Sequence, residues 1–251
     1  MKKKLTVLAA CLMAVYQNVF AENDKINFEL TAEFFSKYVG RGQLNTDDYT
    51  FQTGLSANYK KLTLGVWGNM DMTNYGGNSG KFTEYDLTLD YSCSITEKVG
   101  FSVGIINYHF PSVVGDTTEI YWGLNFDALL RPFIKVYHDV GYVKGTYAQF
   151  GVGHTLEKIA TFSKDGHCDL QLGASIGWGS STYNRAYWNV DESRLNDLAF
   201  TFAFPICFPG GWTIKPSVNY VTLVDGNIRD SDVFSASSDY FFTSIGVSKS
   251  F

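Results

Sequence analysis

The side chains best suited to general acid–base chemistry are those of the four histidines, His109, His138, His154 and His167. Nucleophilic catalysis needs a nucleophile, a base and an orienting group within reach of one another. His138 is followed by Asp139, and serines are frequent, but no spacing selects a catalytic triad. We therefore predict no catalytic residues, no cofactor and no enzymatic activity.

Oxygen ligands of the kind that bind calcium crowd one segment, at Asp225, Asn227, Asp230 and Asp232. Their spacing is not that of an EF-hand, and a solvated acidic loop is the preferred interpretation. Cys93, Cys168 and Cys207 do not have zinc-site spacing. Cys168 and Cys207 fall on consecutive predicted strands, so either a disulfide or three separate thiols fits the sequence. We predict no metal site.

The elements that position these residues are revealed by a two-residue rhythm. Between residues 49 and 60, the side chains of one face are Tyr49, Phe51, Thr53, Leu55, Ala57 and Tyr59, and polar or small residues alternate with them. Such alternation is typical of a β-strand. Its persistence to Phe251, with an aromatic-rich apolar face, favours a single transmembrane antiparallel β-barrel over a secreted soluble sandwich.

Twelve strands are predicted, each long enough to cross a bilayer at a tilt. They cover residues 26–39, 49–60, 61–73, 82–93, 98–109, 117–127, 132–142, 145–155, 167–178, 194–206, 212–224 and 239–251. Short turns alternate with longer polar loops, as in bacterial outer-membrane barrels, and an even strand count puts both termini in the periplasm. The connection 156–166 is long for a periplasmic turn.

The N-terminus predicts export. Lys2, Lys3 and Lys4 precede an apolar stretch and a small-residue site ending at Ala21, so residues 1–21 read as a signal peptide cleaved near Ala21, and residues 22–251 as the barrel. Lipidation at Cys11 is a less favoured alternative. Loss of three lysines leaves 17 basic and 25 acidic residues, a net charge of −8, which argues against a nucleic-acid partner. The predicted location is the outer membrane of a Gram-negative bacterium.

The last strand resembles the C-terminal strand of outer-membrane barrels. Phe241, Thr243, Ile245, Val247 and the terminal Phe251 share the outward phase, while Lys249 departs from the pattern. The resemblance implies that the barrel assembly machinery recognises Phe251. Membrane lipid and lipopolysaccharide are the other partners expected of such a barrel.

The inward phase is rich in acids. It carries Glu29, Glu33, Asp71, Glu84, Asp86, Asp90, Glu119, Asp127, Asp139, Asp169 and Asp197, against Lys37, Lys61, Lys135 and Lys215. A negative lumen favours cations. The candidate pore-lining residues are Asp71, Glu84, Asp86, Glu119, Lys135 and Asp139. Twelve strands permit either a narrow open pore or an interior filled by paired charges.

Several segments resemble the TorF family of porin-like outer-membrane proteins. Residues 35–42 match the family's opening Ser-x-Tyr-x-x-Arg-Gly motif through Ser36, Tyr38, Arg41 and Gly42, and residues 121–127, 136–139 and 144–147 also look like family segments. The resemblance implies a barrel and a channel without a defined substrate. We expect this motif at the outer rim, where Arg41 would bind a lipopolysaccharide phosphate or a substrate carboxylate, or cap loop carbonyls.

The function predicted from these features is passive passage of small solutes through a porin-like channel with a cation preference. The alternative is a non-conducting barrel that acts through its outer loops as an adhesin or structural protein. The loop 179–193 would be its contact surface through Tyr183, Tyr187 and Trp188, although aromatic loops of this kind also fold into a lumen and constrict it. A barrel enzyme acting on lipid is a less favoured third candidate.

Overall fold

The structure is a computed structural model that describes residues 25–111 and 115–251. The predicted signal peptide and Cys11 lie outside the described residues. The described strands are β1 (Asn27–Phe35), β2 (Tyr38–Gly40), β3 (Gln43–Thr46), β4 (Thr50–Tyr59), β5 (Leu62–Asp71), β6 (Lys81–Thr96), β7 (Val99–His109), β8 (Thr117–Phe126), β9 (Phe133–Asp139), β10 (Thr146–Thr161), β11 (His167–Gly179), β12 (Arg194–Ala203), β13 (Ile206–Phe208), β14 (Trp212–Leu223) and β15 (Asp239–Ser250). The described helices are α1 (Ser181–Trp188) and α2 (Gly226–Arg229).

The sheet closes into a barrel. Each wall strand pairs antiparallel with its neighbours, and the first strand β1 pairs with the last strand β15 from Glu29↔Ser250 to Phe35↔Ser244. β12 and β13 both lie between β11 and β14, so they act as one wall strand interrupted at Phe204 and Pro205. The described chain therefore forms a ring of 12 wall strands, which confirms the all-β antiparallel barrel that the sequence predicts.

Alternation along each strand gives the barrel two different faces. On β15, Phe241 and Ile245 are exposed on the outside, whereas Phe242 and Ser244 are buried inside. The same outward apolar exposure recurs around the ring, at Phe28, Leu30, Phe34, Leu55, Leu64, Val66, Leu87, Leu89, Ile105, Ile120, Trp122, Phe150 and Phe202. An apolar surface that continues around the whole barrel is unfavourable in water and suits the hydrocarbon core of a lipid bilayer.

The two ends of the barrel differ in their connections. At one end, here the turn end, the strands are joined by tight turns such as residues 60–61 and 209–211. At the other, the loop end, the connections 72–80, 180–193 and 224–238 are longer. β10 continues to Thr161 through a bulge between Leu156 and Ala160, so the predicted end of this strand at residue 155 is wrong. The long connection at 156–166 thereby shortens to residues 162–166.

Two segments leave the wall at the loop end. The first predicted strand ends at Phe35 instead of residue 39, and β2 and β3 pair only with each other as a separate hairpin. The loop after β11 contains α1, which the strand periodicity did not predict. Among the residues described, no helix is long and apolar enough to cross a membrane.

Candidate functional site

The hairpin of residues 38–46, here the hairpin plug, lies inside the barrel. Arg41 and Gly42 form its two-residue turn, with φ of 49° and 79°, as a type I′ hairpin requires. A Cβ on Gly42 would lie 2.6 Å from Leu223 Cδ2 and 3.0 Å from Asp197 Cβ on the wall. Glycine is therefore needed both for the backbone conformation and for the close approach of the plug tip to the wall.

Arg41 is held at this tip by a buried ion pair. Its Nη1 and Nη2 donate to Glu119 Oε1 and Oε2, each at 2.8 Å, and Arg41 is only 7% exposed. Its Cζ lies 4.2 Å from the ring centroid of Tyr137 and 4.7 Å from that of Tyr147. A bidentate guanidinium–carboxylate pair between aromatic faces is a strong and directional contact, which anchors the plug to β8, β9 and β10.

Five tyrosine rings form a continuous row, here the tyrosine ladder, that links the wall to α1. Its members are Tyr121, Tyr137, Tyr147, Tyr183 and Tyr187, with successive centroid separations of 5.6, 6.3, 5.4 and 4.6 Å. Gln43 of the plug donates to the Tyr183 hydroxyl at 2.9 Å. The plug, α1 and three wall strands are thus packed as one unit.

Hydroxyl groups donate to three of the carboxylates that face this unit. Tyr38 of the plug donates to Glu84 at 2.8 Å, and Thr46 of the plug donates to Asp71 at 2.9 Å. From the wall, Tyr108 donates to Glu119 at 2.8 Å. These bonds bring plug and wall together through groups whose burial without partners is costly.

The predicted pore-lining residues all lie on the inward phase at or near the plug. They are Asp71, Glu84, Asp86, Glu119, Lys135 and Asp139. The five carboxylate residues among them are at most 3% exposed, and Lys135 Nζ lies 4.0 Å from the ring centroid of Tyr121. They contact the plug, the wall or an inserted loop, and their effect on ion selectivity stays a prediction. Of the other charged residues assigned inward, Lys61 and Asp127 lie instead in exposed turns.

Asp139 organises a loop. Its Oδ1 accepts hydrogen bonds from the backbone N–H groups of Gly141, Val143 and Lys144 at 2.9, 3.0 and 3.0 Å. Its Oδ2 accepts from Thr117 Oγ1 at 2.5 Å. With this many donors, Asp139 fixes the connection 140–145 at the mouth of the barrel.

The motif predicted at the outer rim is mostly inside the barrel. Ser36 exchanges hydrogen bonds with the backbone of Thr243 at the end of β1, but Tyr38, Arg41 and Gly42 are buried. The rim position expected for Arg41 is therefore wrong, because its guanidinium has an internal carboxylate partner. The sequence signal that could have located it is the Gly-Arg-Gly run, which suits a two-residue hairpin turn.

Apolar side chains fill the rest of the loop-end half. Trp188 of α1 packs on Phe234 with centroids 5.0 Å apart, and Leu44 and Ile228 are 5% and 0% exposed. Tyr183, Tyr187 and Trp188, which the loop-contact alternative expected at the surface, are each 1% exposed. Of the two placements that the sequence left open, an exposed contact surface and insertion into the lumen, the structure has the second for the loop 180–193.

The turn-end half of the lumen, here the vestibule, has a different character. Its wall is polar and only half-buried, at Ser56, Asn58, Thr63, Ser92, Ser102, Gly153, Gln171 and Thr201. Lys215 Nζ and Glu33 Oε1 form an ion pair of 3.0 Å there. The interior is thus filled at one end and polar and accessible at the other.

At the loop end, the residues considered for acid–base catalysis or calcium binding form hydrogen bonds with neighbouring residues. His109 Nδ1 lies 2.7 Å from Asp116 Oδ2 on the outside, and this hydrogen bond holds the pKa of the loop residue Asp116 below its usual range. His138 Nδ1 lies 2.8 Å from Thr146 Oγ1. Asp225 caps the N-terminus of α2 by accepting from the N–H of Asn227.

The sulfur atoms of the described cysteines, Cys93, Cys168 and Cys207, are free thiols. Cys207 pairs in register with His167, and Cys168 pairs with Ile206. Because the two residues of an antiparallel pair share a face and neighbours alternate, Cys168 and Cys207 point to opposite faces. Of the two arrangements that the sequence left open, the structure has the separate thiols.

Comparison with known proteins finds similarity in fold but none in sequence family. No family model and no curated protein sequence matches this chain, so membership of the TorF family stays a prediction. Among solved structures, the KdgM porin matches with a TM-score of 0.53 at 11% identity over 90% of this chain and 99% of that chain. An outer-membrane channel from Pseudomonas putida F1 matches with a TM-score of 0.54 at 9% identity over 93% and 98%. LpxR from Salmonella typhimurium matches with a TM-score of 0.53 at 11% identity over 88% and 99%. The chain has the barrel fold that outer-membrane porins have.

Proposed function

We propose that this protein is a porin-like channel of the bacterial outer membrane that passes small solutes passively and is gated by the hairpin plug. The observation that carries the proposal is the closed barrel with an apolar outside and a polar, half-buried vestibule inside. A water-accessible polar lumen behind an apolar belt is the architecture of passive channels. The fold shared with the KdgM porin and the Pseudomonas channel agrees with it, and LpxR has the same barrel fold.

The filled loop-end half sets the conditions for conduction. The plug and α1 block the path from the vestibule to the loop end, so solute passage requires the plug to leave its site. The Arg41–Glu119 pair and the Tyr38–Glu84 hydrogen bond oppose this movement. The resting protein is accordingly a channel of low open probability.

Cation preference follows from the groups that the movement uncovers. Withdrawal of Arg41 leaves Glu84, Asp86 and Glu119 facing the lumen without its positive charge. A ring of carboxylates at a constriction favours cations, and passive transport of this kind needs no cofactor. Lipopolysaccharide around the loop end and the assembly machinery at Phe251 remain the partners we propose.

Planar-bilayer recording of the refolded protein tests the gate. Wild type should give rare openings, whereas replacement of residues 38–46 by two glycines should give frequent stepwise openings of larger conductance. The matched control shortens the connection 74–79, whose residues are mostly exposed, and should behave as wild type. Openings that are equally frequent in all three proteins would remove the plug from the gating role.

Ion selectivity is measured in the same plug-deleted protein under a KCl gradient. Conversion of Glu84 and Glu119 to Gln together with Asp86 to Asn should move the reversal potential from the cation side towards zero, because the carboxylates supply the negative potential. Conversion of the vestibule residue Glu33 to Gln is the control and should move it less. An unchanged reversal potential in the triple variant would contradict the charge argument.

A non-conducting barrel that works through its loops is the second candidate, and the filled loop-end half favours it. Tyr75 and Tyr142, 55% and 61% exposed at the loop end, then replace the buried aromatics of α1 as contact residues. Silence of both wild type and the plug-deleted variant, with folding intact, would favour this candidate over the channel.

A further inference from the structure

Three side chains that suit a transition metal converge at the turn end of the barrel. They are His167 and Asp169 of β11 and Cys207 of β13, whose ligand atoms all lie within 4.8 Å of one another. His167 Nε2 is 3.6 Å from Asp169 Oδ1. None of the three takes part in the plug or in the loop-end core.

The strand register puts these groups on one face. His167 and Asp169 are two residues apart on β11, and Cys207 is directly opposite His167 on β13. This face points into the lumen, because Gly177 of the same phase has its Cβ position 2.2 Å from the Tyr147 hydroxyl inside the barrel. With His167 and Asp169 side chains 26% and 13% exposed, the cluster is open to the vestibule while mostly surrounded by protein.

Neighbouring groups already orient two of the ligands. The backbone N–H of Lys158, at the β10 bulge, donates to Asp169 Oδ1 at 2.7 Å. The Thr213 hydroxyl on β14 points at Cys207 Sγ from 3.9 Å. Such outer contacts fix the direction of metal ligands and are a usual part of a metal site. A cavity of about 250 Å³ lined by Lys158, Lys164 and His167 among others adjoins the cluster and gives an approach to His167.

We propose that His167 Nε2, an Asp169 carboxylate oxygen and the Cys207 thiolate bind a divalent transition-metal ion of the Zn²⁺ class. Tetrahedral zinc has ligands at about 2.0–2.3 Å, which places neighbouring ligand atoms about 3.3–3.6 Å apart. The distance between His167 Nε2 and Asp169 Oδ1 already has this value. Cys207 Sγ would have to move closer to these atoms by about 1 Å, which a side-chain rotation can provide.

The ligand chemistry selects the class of metal. A thiolate with an imidazole favours zinc-like ions, whereas Ca²⁺ and Mg²⁺ prefer oxygen ligands alone. Binding converts the Cys207 thiol to a thiolate and releases its proton to water. Three protein ligands leave the fourth tetrahedral position to water, as in open zinc sites.

At this position a bound ion would strengthen a weakly paired part of the barrel wall. β13 is three residues long, is separated from β12 by Phe204 and Pro205, and pairs with β11 through two residue pairs only in the described chain. A metal shared by His167, Asp169 and Cys207 cross-links β11 to β13 at this weak seam. Metal binding to the folded barrel alone would stabilise it by mass action.

Cobalt titration of the refolded, reduced, chelator-treated barrel in detergent tests the site. Wild type should bind one Co²⁺ with a thiolate-to-metal charge-transfer absorption band, and Zn²⁺ should abolish the band by displacement. Cys207→Ser should lose the band, and His167→Gln should weaken Co²⁺ binding at least tenfold. Cys168→Ser is the matched control and should keep the band, because its thiol points to the opposite face.

Folding of each variant is checked by its heat-dependent gel mobility, so that loss of the band is read only in folded protein. If Cys207→Ser does not fold, the comparison of wild type, His167→Gln and Cys168→Ser decides alone. A wild type without a band, a band that survives in folded Cys207→Ser, or a band lost in Cys168→Ser would overturn the assignment.

Discussion

The loop-end and turn-end halves of this barrel are built from the same strands and yet have different interiors. At the loop end, the wall faces the hairpin plug, α1 and a buried row of tyrosines. At the turn end, the same strands carry small polar residues that remain half-exposed. Connection length explains the difference: residues 36–49 and 180–193 are long enough to fold inward, whereas turns such as 60–61 are not.

The two halves also differ in how far their ion pairs are exposed to water. Each half contains an ion pair between a base and a carboxylate, Arg41–Glu119 at the loop end and Lys215–Glu33 in the vestibule. The first has side chains only 5% and 2% exposed, and the second 30% and 15%. Breaking a buried pair leaves a desolvated charge, while a solvated pair is replaced by water at little cost. The two halves should therefore respond very differently to similar substitutions.

Removal of the buried cation should have the largest effect. Arg41→Ala leaves Glu119 buried without its partner and is expected to lower the free energy of unfolding by about 3–5 kcal/mol. Urea unfolding in lipid vesicles, followed by tryptophan fluorescence, measures it. The double variant with Glu119→Gln removes the orphan charge and should recover much of the loss. A single variant as stable as wild type would mean that the pair does not anchor the plug.

The plug tip gives the second effect. An alanine at position 42 would have to adopt a positive φ, and its Cβ would lie 2.6 Å from Leu223 Cδ2 on the wall. Gly42→Ala should therefore lower the free energy of unfolding by about 2–4 kcal/mol, from backbone strain and overpacking together. Gly210→Ala at a turn-end turn has a φ of 78° but open space around its Cβ position. This control should cost only about 1 kcal/mol from the backbone. Equal losses in the same unfolding assay would show that the tip is not pressed against the wall.

The hydroxyl contact of the plug gives a smaller effect. Tyr38→Phe removes the donor to Glu84 in the buried interior and should cost about 1–3 kcal/mol, because a buried carboxyl oxygen is left without its hydrogen-bond partner. Tyr220→Phe is the control, since its hydroxyl bonds to Asp239 at an exposed site and its loss should cost less than about 1 kcal/mol. The order would be reversed if the plug were only loosely seated.

The parts of this fold that could be predicted from the sequence are those set by local pattern. Alternation located wall strands such as β4 and β15 within one or two residues, since outward and inward faces impose a period of two. The inward phase of Glu84 and Glu119 followed from the same rule. These properties depend only on neighbours along the chain.

The plug, α1 and the group of His167, Asp169 and Cys207 depend on contacts that the spacing of residues along the sequence does not reveal. Arg41 and Glu119 are 78 positions apart, and Cys207 reaches His167 only through strand pairing. Local signals existed for the first two: the Gly-Arg-Gly turn, and for α1 the Ser180 cap with a left-handed Asn189 at its end. That both segments fold inward is decided by burial against the wall, which only the closed barrel provides.

The vestibule ion pair should give the smallest effect and so completes the comparison. Glu33→Gln keeps the shape of the side chain and removes the charge that faces Lys215 at 3.0 Å. Because both side chains remain partly solvated, the loss should be below about 1 kcal/mol and should shrink further as salt rises. Unfolding at low and high KCl measures both quantities. A loss as large as that of Arg41→Ala, or one that salt does not reduce, would mean that the vestibule is as dry as the loop end and that the two halves are not distinct environments.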